Sequence, residues 1–118
     1  MIIYASCGLG KTTYCRANPS CFDADYYYYQ QSSYKSYYDY VMHAAKKYKI
    51  VFINNIEGID LSLIDQAYLA ESIEMMRDRL ENRPMGKFVP NQYVFNLERT
   101  IFPNAIIVKK DQYLSDFI

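Results

Sequence analysis

The chain has no surplus of either charge. Thirteen lysines and arginines meet thirteen aspartates and glutamates, so the broad positive field that gives most nucleic-acid binders their non-specific affinity is missing. Nucleic acid is therefore not expected as the main partner. No apolar run approaches the ~20 residues that a membrane-spanning helix needs, and the chain starts on strand-forming residues without a charged leader and apolar signal core. The expectation is a cytoplasmic protein with no membrane partner. Cysteine is sparse: Cys7, Cys15 and Cys21 are odd in number and show neither a CxxC pair nor a histidine at metal-ligand spacing, which argues for a reducing compartment rather than a disulfide framework. The single histidine, His43, has no evident carboxylate or cysteine partner, which argues against a metal or catalytic role. Repeats and domain linkers are absent too. Residues 1–118 are of one-domain size, and a chain of this length buries roughly two thirds of the surface its unfolded form exposes.

What is present alternates between strand and helix, the pattern of an α/β fold with a mainly parallel sheet and helices on its faces. Ile2 to Ser6 reads as the first strand, Lys11 to Ala17 as a short helix stopped by Asn18 and Pro19, and Cys21 to Asp23 or Ala24 as a second, very short strand. From Ser33 to Tyr48, apolar and aromatic residues at Tyr34, Tyr37, Tyr38, Val41, Ala44, Ala45 and Tyr48 follow helical spacing. A third strand covers Ile50 to Ile53. Leu61 or Ser62 to Asn82 reads as the longest helix, capped by Asp60 or Ser62 and stopped before Pro84 and Gly86. After a loop through Pro90, Asn91 caps another helix to Ile101, and Pro103-Asn104 turns the chain into a fourth strand at Ala105 to Val108. The expected sheet is thus a reduced one of about four strands.

The segment Ala5 to Thr12, ASCGLGKT, lies between the first strand and the first helix. Gly8 and Gly10 allow the tight turn that aims successive N–H groups inward, Lys11 can reach the β- and γ-phosphates, and the Thr12 hydroxyl can coordinate Mg²⁺. That makes it a phosphate-binding P-loop in sequence, with Ser6, Cys7, Gly8, Leu9, Gly10, Lys11, Thr12 and Thr13 as the nucleotide-binding set and phosphate at a helix N-terminus. The usual pattern begins with Gly, and here Ala5 holds that place. A plain Gly-rich turn explains the glycines, but not Lys11 and Thr12 in register behind an apolar strand. Cys7 lies inside the loop, where a positive setting favours thiolate, yet nothing adjacent would serve as its base.

Phe22-Asp23-Ala24-Asp25 ends the second strand, at the sheet edge that faces the ligand crevice in open α/β folds. Asp23 could help hold Mg²⁺ through water while Asp25 accepts a hydrogen bond from an attacking hydroxyl. A loop that simply needs polar residues is the plainer alternative.

ASCGLGKT followed by FDAD resembles the small-molecule and nucleotide kinases of the P-loop superfamily. Shikimate-kinase-like and polynucleotide-kinase-like enzymes place an aspartate against the acceptor hydroxyl, which corresponds here to Asp25 or, second, Asp23. The C-terminal stretch Ile106 to Asp116, with YLSD at 113 to 116, is similar to the ending of adenylate-kinase-like proteins of phages and Gram-positive bacteria. The resemblance implies a three-layer P-loop fold, ATP or GTP with Mg²⁺ as cofactors, and a small acceptor molecule. Two departures stand out: no strand is evident between the third strand and the long helix, and Asn54 ends the third strand where many such enzymes carry an aspartate. That moves the acidic role onto Asp23 and Asp25, with Glu57 in reserve as a base.

Phosphoryl transfer also needs positive charge on the transferring group. Arg77, Arg79 and Arg83 cluster near the end of the long helix, and residues 77–90 correspond in chain order to a kinase lid. Arg79 and Arg83 share a helical face; Arg77 lies well round from them. A solvated helix end complementing the dipole is the competing explanation, and Arg16 reads as a surface charge. Tyrosine is over-used, with Tyr26 to Tyr29 in a run and Tyr34, Tyr37, Tyr38 and Tyr40 following. These rings suit core packing, base stacking beside Lys35, Lys46, Lys47 and Lys49, or contact with a partner protein. Two functions remain in play: an Mg²⁺-dependent kinase that transfers a γ-phosphoryl group, and a catalytically degenerate P-loop domain that binds a partner protein through its tyrosines.

Overall fold

The computed structural model describes residues 1–24, 36–56, 58–81 and 91–118. Five strands form one sheet: β1 (Ile2–Ala5), β2 (Cys21–Asp23), β3 (Ile50–Ile53), β4 (Gln66–Ala70) and β5 (Ile106–Val108). Their order is β2-β3-β1-β4-β5 and every pairing is parallel. Among the described residues four helices flank it: α1 (Lys11–Ala17), α2 (Tyr37–Lys47), α3 (Ile73–Glu81) and α4 (Gln92–Ile101). The α/β class and the parallel sheet are as the sequence implies. No helix among the described residues is long and apolar enough to cross a membrane.

β1 is the central strand. It pairs with β3 through Ile2↔Val51, Ile3↔Phe52 and Tyr4↔Ile53, and with β4 through Ile3↔Gln66, Tyr4↔Ala67 and Ala5↔Tyr68. A strand with neighbours on both sides and layers on both faces must be apolar throughout, and all four residues of IIYA are buried. Alternation sends Ile2 and Tyr4 to one face, where they meet Tyr37, Tyr40, Val41 and Ala44 of α2. Ile3 and Ala5 face the other way, into Met75, Met76 and Leu80 of α3, with Tyr14 and Cys15 of α1 packed alongside.

The expected four-stranded sheet is corrected to five. The stretch from Leu61 is not one long helix: Asp60 caps only a 3-10 turn, Leu61–Leu63, the chain extends at Ile64, and Gln66–Ala70 becomes β4. A new helix then starts at Ile73, with Ser72 Oγ accepting from Met75 N at 3.1 Å. Ala67 to Ala70 form a short, wholly apolar run, and such a run reads equally as buried helix or buried strand when judged by periodicity. Tertiary pairing with β1 decides the matter.

Helix α2 begins at Tyr37 rather than Ser33, because Ser36 is extended (φ −149°, ψ 159°) and caps the helix by accepting from Asp39 N at 3.1 Å. Its buried face is Tyr37, Tyr40, Val41 and Ala44, while Tyr38 is exposed. Asn91 caps α4 as expected, accepting from Tyr93 N at 2.8 Å. Asp25, Tyr26 to Tyr29, Tyr34, Lys35, Glu57, Arg83 and the 82–90 part of the anticipated lid lie outside the described residues.

If β4 is a core strand, truncating Leu69, which is fully buried, to alanine costs about 3 kcal/mol. Leu61→Ala, at a position 46% exposed, costs less than about 1 kcal/mol. Urea unfolding of the two variants checks this, and equal losses would return the segment to a single helix.

Candidate functional site

The loop between β1 and α1 sits at the carboxyl end of the central strand, where open α/β sheets form their ligand crevices. Ser6 continues the ladder, its N–H donating to the Tyr68 carbonyl at 3.0 Å. The backbone then turns through two left-handed glycines, Gly8 at φ 83° and Gly10 at φ 94°. Side-chain-bearing residues pay about 1–2 kcal/mol for that conformation. Gly10 is also the N-cap of α1 and brings no capping side chain, so the first N–H groups of the helix are left to other acceptors.

Lys11 opens α1 and is only 8% exposed. Its Nζ donates to the Ala5 carbonyl at 3.3 Å, so the ammonium folds back across the loop. Thr12 Oγ1 donates to Asp23 Oδ2 at 3.0 Å, and Asp23, at the end of β2, is 3% exposed. The structure therefore joins a buried cation, a hydroxyl and a buried carboxylate around one loop. Thr13 is exposed on the outer side of the helix start. Asn54, just past β3, donates its amide to Cys7 Sγ.

The three arginine candidates fare differently. Arg79 reaches the loop, but its guanidinium is committed to carbonyls: Nη1 donates to Gly8 O at 3.1 Å, and Nη2 to Lys110 O at 3.0 Å and to Gln112 O. It also stacks 3.9 Å from the centre of the Tyr113 ring. A catalytic role for Arg79 is not what this geometry supports, since its donors face main-chain oxygens. Arg77 is exposed, and Arg83 lies outside the described residues together with Asp25.

Glu98 of α4 is a site residue that the sequence pattern did not flag. It is 6% exposed, and its Oε2 accepts from Tyr4 Oη at 2.6 Å and from Ser6 Oγ at 3.0 Å. A buried carboxylate with two hydroxyl donors is a satisfied one, and it holds the first residue of the loop. The available signal was its position between Phe95 and Phe102 at helical spacing, on the inward side of α4. Beside the loop are two clefts that share Gly10, Thr13 and Tyr113. One of about 400 Å³ runs towards Met75, Asp78 and Lys110; the other, about 680 Å³, runs over Tyr14, Ala17, Asn18 and Ile118.

Burial, with Asp23 and Cys21 adding to it, pushes the Cys15 thiol up to about 12, and burial likewise raises Cys21. Both are thus thiols at neutral pH. Among the described residues no group of three or more His, Cys, Asp or Glu side chains converges as a metal site. No protein-family model matches this chain, and no curated protein is significantly similar to it.

Gly10→Ala places a Cβ 3.3 Å from Tyr113 Cδ1 in addition to its backbone strain, whereas Gly58→Ala at φ 74° meets nothing within 4 Å. Thermal melts should show the larger drop for Gly10→Ala. Iodoacetamide at pH 8 should leave Cys15 and Cys21 unmodified in the folded chain and label them in urea, because alkylation needs thiolate; rapid labelling of native Cys15, read by peptide mass, contradicts the assignment.

Proposed function

We propose that this protein is a P-loop domain that grips the phosphates of ATP or GTP at residues 5–13 and transfers the γ-phosphoryl group to a small hydroxyl or phosphate acceptor. One observation carries the reading: two left-handed glycines and the folded-back, largely buried Lys11 stand at the carboxyl end of the central strand of a parallel sheet. The strand order β2-β3-β1-β4-β5 is in keeping with it, and β4 supplies the strand that the sequence does not make evident after the third strand.

In this reading the loop amides and the Lys11 ammonium bind the β- and γ-phosphates, the 680 Å³ cleft beside Tyr113 receives the nucleoside, and Asp25 orients the acceptor. The acceptor oxygen forms a bond to the γ-phosphorus as the bond to the β,γ-bridging oxygen breaks, the proton of a hydroxyl acceptor passes to the Asp25 carboxylate, and the nucleoside diphosphate leaves. Thr12 Oγ1 and the Asp23 carboxylate, 3.0 Å apart, are hard oxygen donors that fit Mg²⁺. Magnesium takes one or two carboxylates, substrate phosphates and waters rather than a full protein cage, so the lack of a larger acidic cluster among the described residues does not count against it. When bound, the ion neutralises phosphate charge. Asn54 is the feature that favours the binding-only alternative, since its amide is turned onto Cys7 and brings no charge to the β3 end.

MgATP or MgGTP should raise the melting temperature of the wild-type chain by mass action, and Lys11→Ala should abolish the rise. Turnover of ATP with a panel of nucleosides and nucleotides, lost in Asp25→Asn, separates a kinase from a binding domain. Stabilisation without turnover points to the latter, and no stabilisation by either nucleotide would sink the kinase and leave only a degenerate domain that docks to a partner protein.

A further inference from the structure

Two successive peptide groups of the loop have their carbonyls taken from outside. Gly8 O accepts from Arg79 Nη1 at 3.1 Å, and Leu9 O accepts from Leu114 N at 3.1 Å. Among the described residues every peptide bond is trans, so in each group the N–H points opposite to the C=O. Fixing these two carbonyls on the C-terminal side of the loop therefore turns the N–H groups of Leu9 and Gly10 to the other side. Those are two of the donors that the proposed phosphate site needs.

We infer that Arg79 is a positioning residue for the phosphate loop, acting with the C-terminal turn at residues 109–114 to set the peptide planes of Gly8-Leu9 and Leu9-Gly10. The inference rests on the reading of that loop as a phosphate site. One guanidinium bridges three segments: helix α3, from which it comes; the loop, at Gly8; and the C-terminal turn, through Lys110 and Gln112. Its planar fork, with several donors in fixed directions, is what allows this; an ammonium is a single point from which such spread carbonyls cannot all be reached. The apolar side of the clamp is Leu9 against Leu114, both fully buried in the cluster that also holds Leu80. Tyr113 completes it, stacked on the Arg79 guanidinium and in contact with the space beside Gly10. The C-terminal turn is thus part of the phosphate site although it need not touch phosphate.

The test compares wild type, Arg79→Lys and Arg79→Met for binding of MgATP and of inorganic tripolyphosphate by calorimetry, with amide hydrogen exchange read at Leu9 and Gly10. Wild type should bind both probes and show those two amides protected on binding. Arg79→Met should lose about tenfold or more in affinity for both probes and lose the protection, while exchange at Ile3 and Phe52 in the sheet stays slow. Arg79→Lys, which keeps the charge and one donor, should recover part of the affinity. A general loss of stability would instead speed exchange in β1 and β3 as well. Should Arg79→Met fail to fold, Arg79→Lys carries the same readouts against wild type, with a smaller but measurable loss. Wild-type affinity and protection in the folded variants would overturn the positioning role alone. Failure of the wild-type chain to bind either probe would overturn the reading of the loop and this inference with it.

Discussion

The carboxyl end of β1 is the fixed point of this molecule. Parallel ladders to β3 and β4 hold the strand from both sides, and Ser6 extends the β4 ladder by one more bond. Glu98 then takes the Ser6 hydroxyl from below, together with Tyr4. Removing one of these two hydroxyls leaves a buried acceptor short of a partner, which costs more than the bond itself is worth. The loop consequently departs from a position and direction set by the core, and its curvature is left to the two glycines. Glycine alone would make such a loop floppy, because it has the most conformational freedom to lose. The outside contacts to Gly8 and Leu9 remove that freedom.

Electrostatics at this end is local and not a property of the whole chain. Net charge is zero, yet Lys11 is buried beside a helix start whose N–H groups have no intrahelical acceptor. A buried ammonium is tolerated only where acceptors or counter-charge offset its lost hydration. The Ala5 carbonyl supplies one acceptor, and Asp23 lies close enough for both it and Lys11 to act on the Cys15 thiol. A polyphosphate entering the loop would meet a cation already stripped of most of its water, in surroundings where charge interactions are weakly screened. This is the physical ground on which the proposed site differs from an ordinary Gly-rich turn with a surface lysine, whose side chain would be hydrated and mobile.

Local chemistry made the first half of the fold readable. Asn18 and Pro19 stop α1 where expected, and the glycines of the loop adopt the left-handed values that only their lack of a side chain makes easy. β4 was not readable, since Ala67 to Ala70 carry no alternation and follow a residue that caps a helix-like turn. Only pairing with β1, a long-range fact, distinguishes the two states. The same holds for the site. Lys11 and Thr12 were visible because a motif fixes their spacing, and Asp23 because it ends a short strand. Glu98 and the true engagement of Arg79 depend on α4 and the C-terminal turn arriving at the loop from far along the chain. Arg79 was legible as a residue near the site and illegible in its partners, because charge suggests phosphate whereas geometry offers carbonyls.

Asn54 is best understood with these contacts in view. A carboxylate at that place would bring charge to the end of β3; the amide instead donates to the Cys7 sulfur. The register Asp23↔Phe52 puts a buried carboxylate on the neighbouring strand, one ladder position short of Ile53, and Thr12 is its hydrogen-bond donor. Acid and amide thus engage different side chains of the loop region, Asp23 accepting from the Thr12 hydroxyl and Asn54 donating to the Cys7 sulfur. Ser6 is then fixed by α4, Cys7 by β3, Gly8 by α3 and Leu9 by the C-terminal turn. Four consecutive loop residues are each tied to a different part of the fold. A loop restrained in this way would have little reorganisation left to undergo in binding the proposed polyphosphate, and that saving is the main way a rigid site gains affinity over a mobile one.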